Sequence, residues 1–108
     1  DVAAGVIRGL GRIQAEANLQ ELERDMNALL KNLKTCTSAE DLDLEEIHRL
    51  TGSTGVMGMA KLRTHLIRAE AMELGDPQDL QFWIKDTHGL WQDTHAAYTR
   101  FLEAAAEP

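Results

Sequence analysis

The chain has 108 residues, 44% of them hydrophobic, 27% charged, and a formal net charge of -7. That is enough for a single domain spanning 1–108 with one small core, and too short for two ordinary domains. The acidic balance excludes a long-range field that gathers nucleic acid or anionic lipid. A single cysteine, Cys36, excludes an internal disulfide and reads as a small apolar residue near a helix end. No apolar run approaches the roughly 18 residues that suggest a membrane span, and no basic-then-apolar signal segment is present. A reducing, cytoplasmic setting without direct membrane contact is the expectation. The opening DVAAGVIRG lacks an initiator Met, which suggests an excised piece of something longer.

In chain order, a short helix over 2–10 is expected to cap one end of the fold. Leu19, Leu22, Met26, Leu29 and Leu33 then recur at three- and four-residue steps with charged residues between them, which predicts an amphipathic helix over 13–35. A polar break, TCTSAED, follows, and in it Ser38 and Asp41 have capping-box spacing. The second helix carries Leu44, Ile47, Leu50, Thr54 and Met57 on one side and stops at Gly58. The third uses Leu62, Leu66, Ala69 and Met72, with Ile67 beside the stripe. Gly75-Asp76-Pro77 reads as a stop, an N-cap and a first helical position. The last helix runs through Leu80, Ile84, Thr87, Trp91, Thr94, Tyr98 and Phe101, and Trp83, Trp91, Tyr98 and Phe101 read as core. No segment shows period-two alternation bounded by turn signals. The fold class is all-α, an antiparallel up-and-down four-helix bundle.

Three glycines, at 52, 55 and 58, stand close after His48 in HRLTGSTGVMGMAKL. Each costs about 1 kcal/mol against Ala in a helix interior. At 100° per residue, Ile47, Leu50, Thr54 and Met57 turn away from His48, whereas Glu45, Gly52 and Gly55 share its side. The imidazole therefore points to solvent or a partner. Gly52, at i+4, either uncovers that ring to another protein's backbone or permits close helix–helix contact. Its phase favours the first.

With His48, Leu50, Gly52, Gly58 and Leu62 at these spacings, and Glu70 eight residues after Leu62, the segment 44–70 resembles the histidine-containing phosphotransfer domains of multistep two-component signalling. The predicted bundle extends the likeness to nearly the whole chain. The resemblance implies a phosphorelay intermediate. His48 would take a phosphoryl group from a receiver-domain phosphoaspartate and pass it to a second receiver. The partners implied are a receiver of a hybrid histidine kinase and a downstream regulator. The chain would be a substrate and relay rather than an enzyme, with no cofactor of its own and the catalytic acids and Mg²⁺ on the receiver. Histidine suits the role because its unperturbed pKa, about 6.5, keeps the nucleophilic neutral ring abundant at neutral pH.

The family usually has Lys where Thr51 stands, and that Lys helps neutralise the phosphoryl group. Thr51 can offer a hydroxyl hydrogen bond but no charge. Thr51, Gly52 and Gly55 are the expected supporting residues, and Arg49, Lys61 or Arg63 the cations that could compensate. A docking face would use Leu44 and Met59 as its apolar ring, with Glu45, Arg49 and Arg63 at the rim. A monomer is expected.

Two rival readings stand beside this one. The first is a non-catalytic four-helix interaction module that binds receivers or a kinase without phosphotransfer. The second is a metal site, which is not expected. His65 and Glu70 lack an i+4 step, and His88 and His95 lie about 10 Å apart along a helix axis. His48 with His65, on different helices, stays open. His65, His88 and His95 read as surface or boundary residues. Nucleic-acid binding is not expected, because no helix carries a basic recognition stripe.

Overall fold

The computed structural model describes residues 11–71 and 75–106. The expected helix over 2–10, and Met72 of the third stripe, lie outside them. Four α-helices follow one another: α1 (Arg12–Leu33), α2 (Leu44–Val56), α3 (Ala60–Glu70) and α4 (Pro77–Ala106), with one 3₁₀ turn at Ala39–Asp41. Among the described residues there is no strand.

Asp43 meeting Asn32 while Arg49 meets Asp25, and Gln81 meeting Cys36 while His95 meets Glu23, run α2 and α4 antiparallel to α1. Arg49 of α2 reaches Asp25 of α1, and His48 of α2 reaches Glu70 of α3. His65 of α3 meets Thr87 of α4, while His95 of α4 reaches Glu23 of α1. Each helix therefore touches the next, and the last closes on the first. α4, at 30 residues, is about 45 Å long by helix geometry and sets the 49 Å long axis of the molecule.

The predicted stripes are buried except at Leu44, which is exposed, and at Ile84, Thr94 and Phe101, which are half-buried. Leu19, Leu22, Met26, Leu29 and Leu33 face Ile47 and Leu50, Leu62 and Leu66, and Leu80, Trp83, Trp91 and Tyr98. Burying each such side chain contributes about 1.5–3 kcal/mol. Phe101 packs on the edge of this core, half-buried. Thr54 and Thr87 also lie inside, and each donates its hydroxyl to the carbonyl four residues back, so neither is left unsatisfied. Cys36 is buried just past α1, where burial pushes its thiol above the ordinary range and its Sγ donates to carbonyls of Asn32 and Asp41.

Helix ends follow local chemistry. Asp41 accepts the backbone N–H groups of Thr37 and Ser38 at 3.0 and 3.1 Å, which hold its carboxyl below the usual range. That arrangement closes the 3₁₀ turn. α2 starts later, with Asp43 accepting from Glu46 N and Glu45 and Glu46 in the positive first turn. At its other end Gly58 takes φ 74. Its N–H donates to Gly55 O, and Met59 N–H donates to Thr54 O. This is a Schellman closure, which favours glycine at the left-handed position. Gly58 thus ends α2 as the sequence suggests. α4 opens as expected, Asp76 accepting from Gln78 N before Pro77 starts the helix.

His65 departs from the surface or boundary position expected of it. It is buried, its ring lies 4.8 Å from Trp83 and nearly parallel to it, and its carbonyl accepts the Trp83 indole N–H. Thr87 gives its own hydroxyl proton to Trp83 O, so His65 Nε2 carries a proton and donates to Thr87 Oγ1 at 2.7 Å. Desolvation lowers the His65 pKa below its ordinary 6.5, with a smaller push from Arg68 against the pull of Trp83 and Asp86. The neutral ring is the folded form. Its contribution to stability is complete above about pH 6.5 and is lost as pH falls through the lower folded value. Urea midpoints should accordingly drop between pH 7.5 and 5.5, and a His65→Phe variant should show a smaller drop.

Candidate functional site

α2 and α3 form an antiparallel pair across the Gly58 turn, and His48 stands on the outer face of that pair. Its side chain is 83% exposed, and Nδ1 lies 3.2 Å from Glu70 Oε1. A carboxylate can only accept, so in the neutral ring Nδ1 carries the proton and donates to Glu70. The Nε2 lone pair is then left on the solvent side. One carboxylate thus fixes both the ring's orientation and its tautomer.

One turn along α2, Gly52 leaves open space. A Cβ built there would meet nothing within 4 Å, so this glycine does not serve close helix packing. A further turn on, a Cβ at Gly55 would come to 3.1 Å from Nε and 3.2 Å from Cδ of Arg63. Gly55 therefore seats the Arg63 side chain across α2, on the stripe that holds His48. Arg63 makes no ion pair among the described residues, and it lies about two turns, roughly 10 Å, along α2 from His48.

The other cations are directed elsewhere. Arg49 is held by Glu46 and, at 3.4 Å, by Asp25 of α1; the Glu46 hydrogen bond chiefly raises its pKa further. It ties α2 to α1 rather than standing beside His48. Lys61 lines a groove against α4. Thr51 is buried and donates its hydroxyl to Ile47 O at 2.9 Å. That hydroxyl is committed to its own helix and does not take the place of the expected Lys.

Of the expected docking residues, Leu44 is 38% exposed one turn before His48 and Glu45 is exposed beside it. Met59 corrects the expectation: it is buried, in the core and at the N-cap of α3. The chain turns sharply at Gly58, so the phase extrapolated from α2 no longer holds for Met59. Val56, 69% exposed at the end of α2 and one turn beyond Gly52, is an apolar surface residue near this site that the sequence pattern does not single out. Its only signal was an apolar residue off the buried stripe.

His48 and His65 do not meet. One is exposed over α2 and α3, the other is buried against α4. Among the described residues no three His, Cys, Asp or Glu side chains gather as a metal site would require. No described helix is long and apolar enough to cross a membrane.

No family model matches the chain, and no curated protein or solved structure matches it either.

Proposed function

We propose that the chain is a phosphorelay intermediate of the histidine phosphotransfer type, acting in the cytoplasm between receiver domains. The observation that carries this reading is an exposed imidazole with Nδ1 engaged by Glu70 and a bare glycine one turn above it. A receiver docks over Leu44, His48 and Gly52. Nε2 of His48 attacks the phosphoaspartate phosphorus in line, the N–P bond forms, and the P–O bond to the aspartate breaks, returning a carboxylate to the receiver. The Nδ1 proton stays in its hydrogen bond to Glu70, whose negative charge offsets the positive charge developing on the ring. Arg63, over Gly55 about two turns from His48, is a rim cation of the docking face rather than a residue beside the imidazole. The step reverses onto a second receiver.

The test is transfer from a phosphorylated receiver to the wild-type chain and to His48→Gln. Acid-labile, base-stable label on the wild type and none on the variant supports the relay. A receiver that binds both proteins and labels neither rules it out and favours a binding module without transfer. The buried Thr51, which leaves the expected cation position empty, is the observation that speaks for that second reading.

Glu70 is a positioning residue in this scheme. Glu70→Ala should slow transfer about tenfold, as expected for losing a charge-assisted hydrogen bond, while leaving His48 the labelled residue. The ¹⁵N shifts of the His48 ring should move from the Nδ1–H toward the Nε2–H tautomer. A merely structural role would leave those shifts unchanged.

A further inference from the structure

On the side of α2 that faces α1, the two helices enclose an open groove of about 450 Å³. Its floor is apolar, made by the buried Leu22 and Met57. Its α2 rim is Gly52, Ser53 and Val56, and Val56 is largely exposed. Val56 stands about 12 Å along α2 from His48 by helix rise, and Gly52 lies midway between them. The bare glycine therefore opens the groove as well as the imidazole, since a Cβ at Gly52 would meet nothing within 4 Å. A partner laid along the outer face of α2 has room there for an apolar side chain, against Val56 and over the Leu22 and Met57 floor.

The opposite rim, on α1, is acidic. Glu21 and Asp25 stand one turn apart along it, and Arg49 is the one cation of the lining. Asp25 and Glu46 both hold that guanidinium, and Glu21 adds to its stabilisation. Three carboxylates thus surround one cation, an excess of two negative charges. Glu21 itself is exposed and makes no ion pair among the described residues. Complementary surfaces set opposite charges against each other, and like charges facing across an interface are costly, so the surface that covers this rim is cationic. The net charge of -7 draws such a partner at longer range.

We propose, building on the relay reading, that the receiver docked over His48 extends across Gly52 into this groove, with an apolar side chain against Val56 and a lysine or arginine against Glu21. The acidic α1 rim then selects among receivers by the charge of their docking face.

The probe is the receiver domain of the source organism that labels His48 fastest, titrated unphosphorylated into the ¹⁵N-labelled chain and, phosphorylated, used for transfer rates. Amide shifts at Asn18, Glu21 and Leu22 of α1, together with Gly52 and Ser53, support the groove. Glu21→Lys should melt as the wild type does, as expected of an exposed helix position, and slow transfer about tenfold at low salt. Raising NaCl should slow the wild type and bring the two rates together, because screening removes the attraction and the repulsion alike. Val56→Ser should also slow transfer severalfold without lowering the melting temperature. Glu23→Lys makes the same charge change on α1 beside His95 of α4, away from the groove, and should stay within about twofold of the wild type. Label on His48 without α1 shifts, or an unslowed Glu21→Lys, would overturn the groove and leave the relay standing. So would equal slowing by Glu23→Lys, which would mark a general field rather than a local contact. A chain that no receiver binds or labels would overturn both.

Discussion

Gly52→Ala should melt at a higher temperature than the wild type and accept the phosphoryl group more slowly. The first half follows from the empty space around Gly52: a methyl group meets nothing within 4 Å, so the helix gains the Ala preference of about 1 kcal/mol without a clash. For a domain of this size that is a rise of about 4–8 °C. The second half rests on the proposed docking of a receiver over His48. A partner backbone that must approach His48 meets the new side chain first, and Gly52→Phe should extend the loss to at least about a hundredfold, the equivalent of roughly 3 kcal/mol of lost docking. Opposite signs for stability and transfer would mark Gly52 as a residue kept for function at the expense of the helix. Thermal melts and transfer rates on the same two variants decide it. A glycine serving only the fold would show stability and transfer falling together.

Trp83→Ala should be the most damaging single change to the fold. Trp83 is nearly fully buried, stacks on the His65 ring and donates its indole N–H to His65 O. Truncating a buried Trp costs about 3–5 kcal/mol, a large part of the 5–15 kcal/mol typical of a domain. The change also leaves the His65 carbonyl without its donor and opens the cavity beside a buried imidazole. Denaturant unfolding should show the midpoint collapsing or the chain unfolded in buffer. Trp83→Phe, which keeps most of the ring volume, should lose substantially less. Equal losses from the two would place the hydrogen bond, rather than packing, at the centre of this cluster.

Much of this architecture was legible because the helices are amphipathic and their ends carry strong local signals. The α1 stripe from Leu19 to Leu33, the stop at Gly58 and the Asp76-Pro77 start are each decided within a few residues, and each appears where the periodicity and turn chemistry put it. The exposure of His48 was legible for the same reason, its phase being opposite Ile47 and Leu50. What failed depended on the third dimension. Met59 belongs to the apolar ring around His48 only if the α2 phase continues past Gly58, where the positive φ instead redirects the chain into the core. Thr51 lies between the buried stripe and the His48 side, and only the structure shows its hydroxyl committed to Ile47 O. His65 is polar enough to read as surface, yet its burial rests on Trp83 and Thr87, 18 and 22 residues away. Arg63 over Gly55 is likewise a pairing of two helices that no single-helix phase could supply.

Phosphotransfer as proposed takes place at one atom, Nε2 of His48. The most direct measurement is ³¹P and ¹⁵N NMR of the ¹⁵N-labelled chain after incubation with a phosphorylated receiver domain. The account predicts a phosphorus–nitrogen coupling to Nε2 of His48, with the Nδ1 proton retained in its bond to Glu70. Phosphate on Nδ1, on another residue, or nowhere in the chain would contradict it.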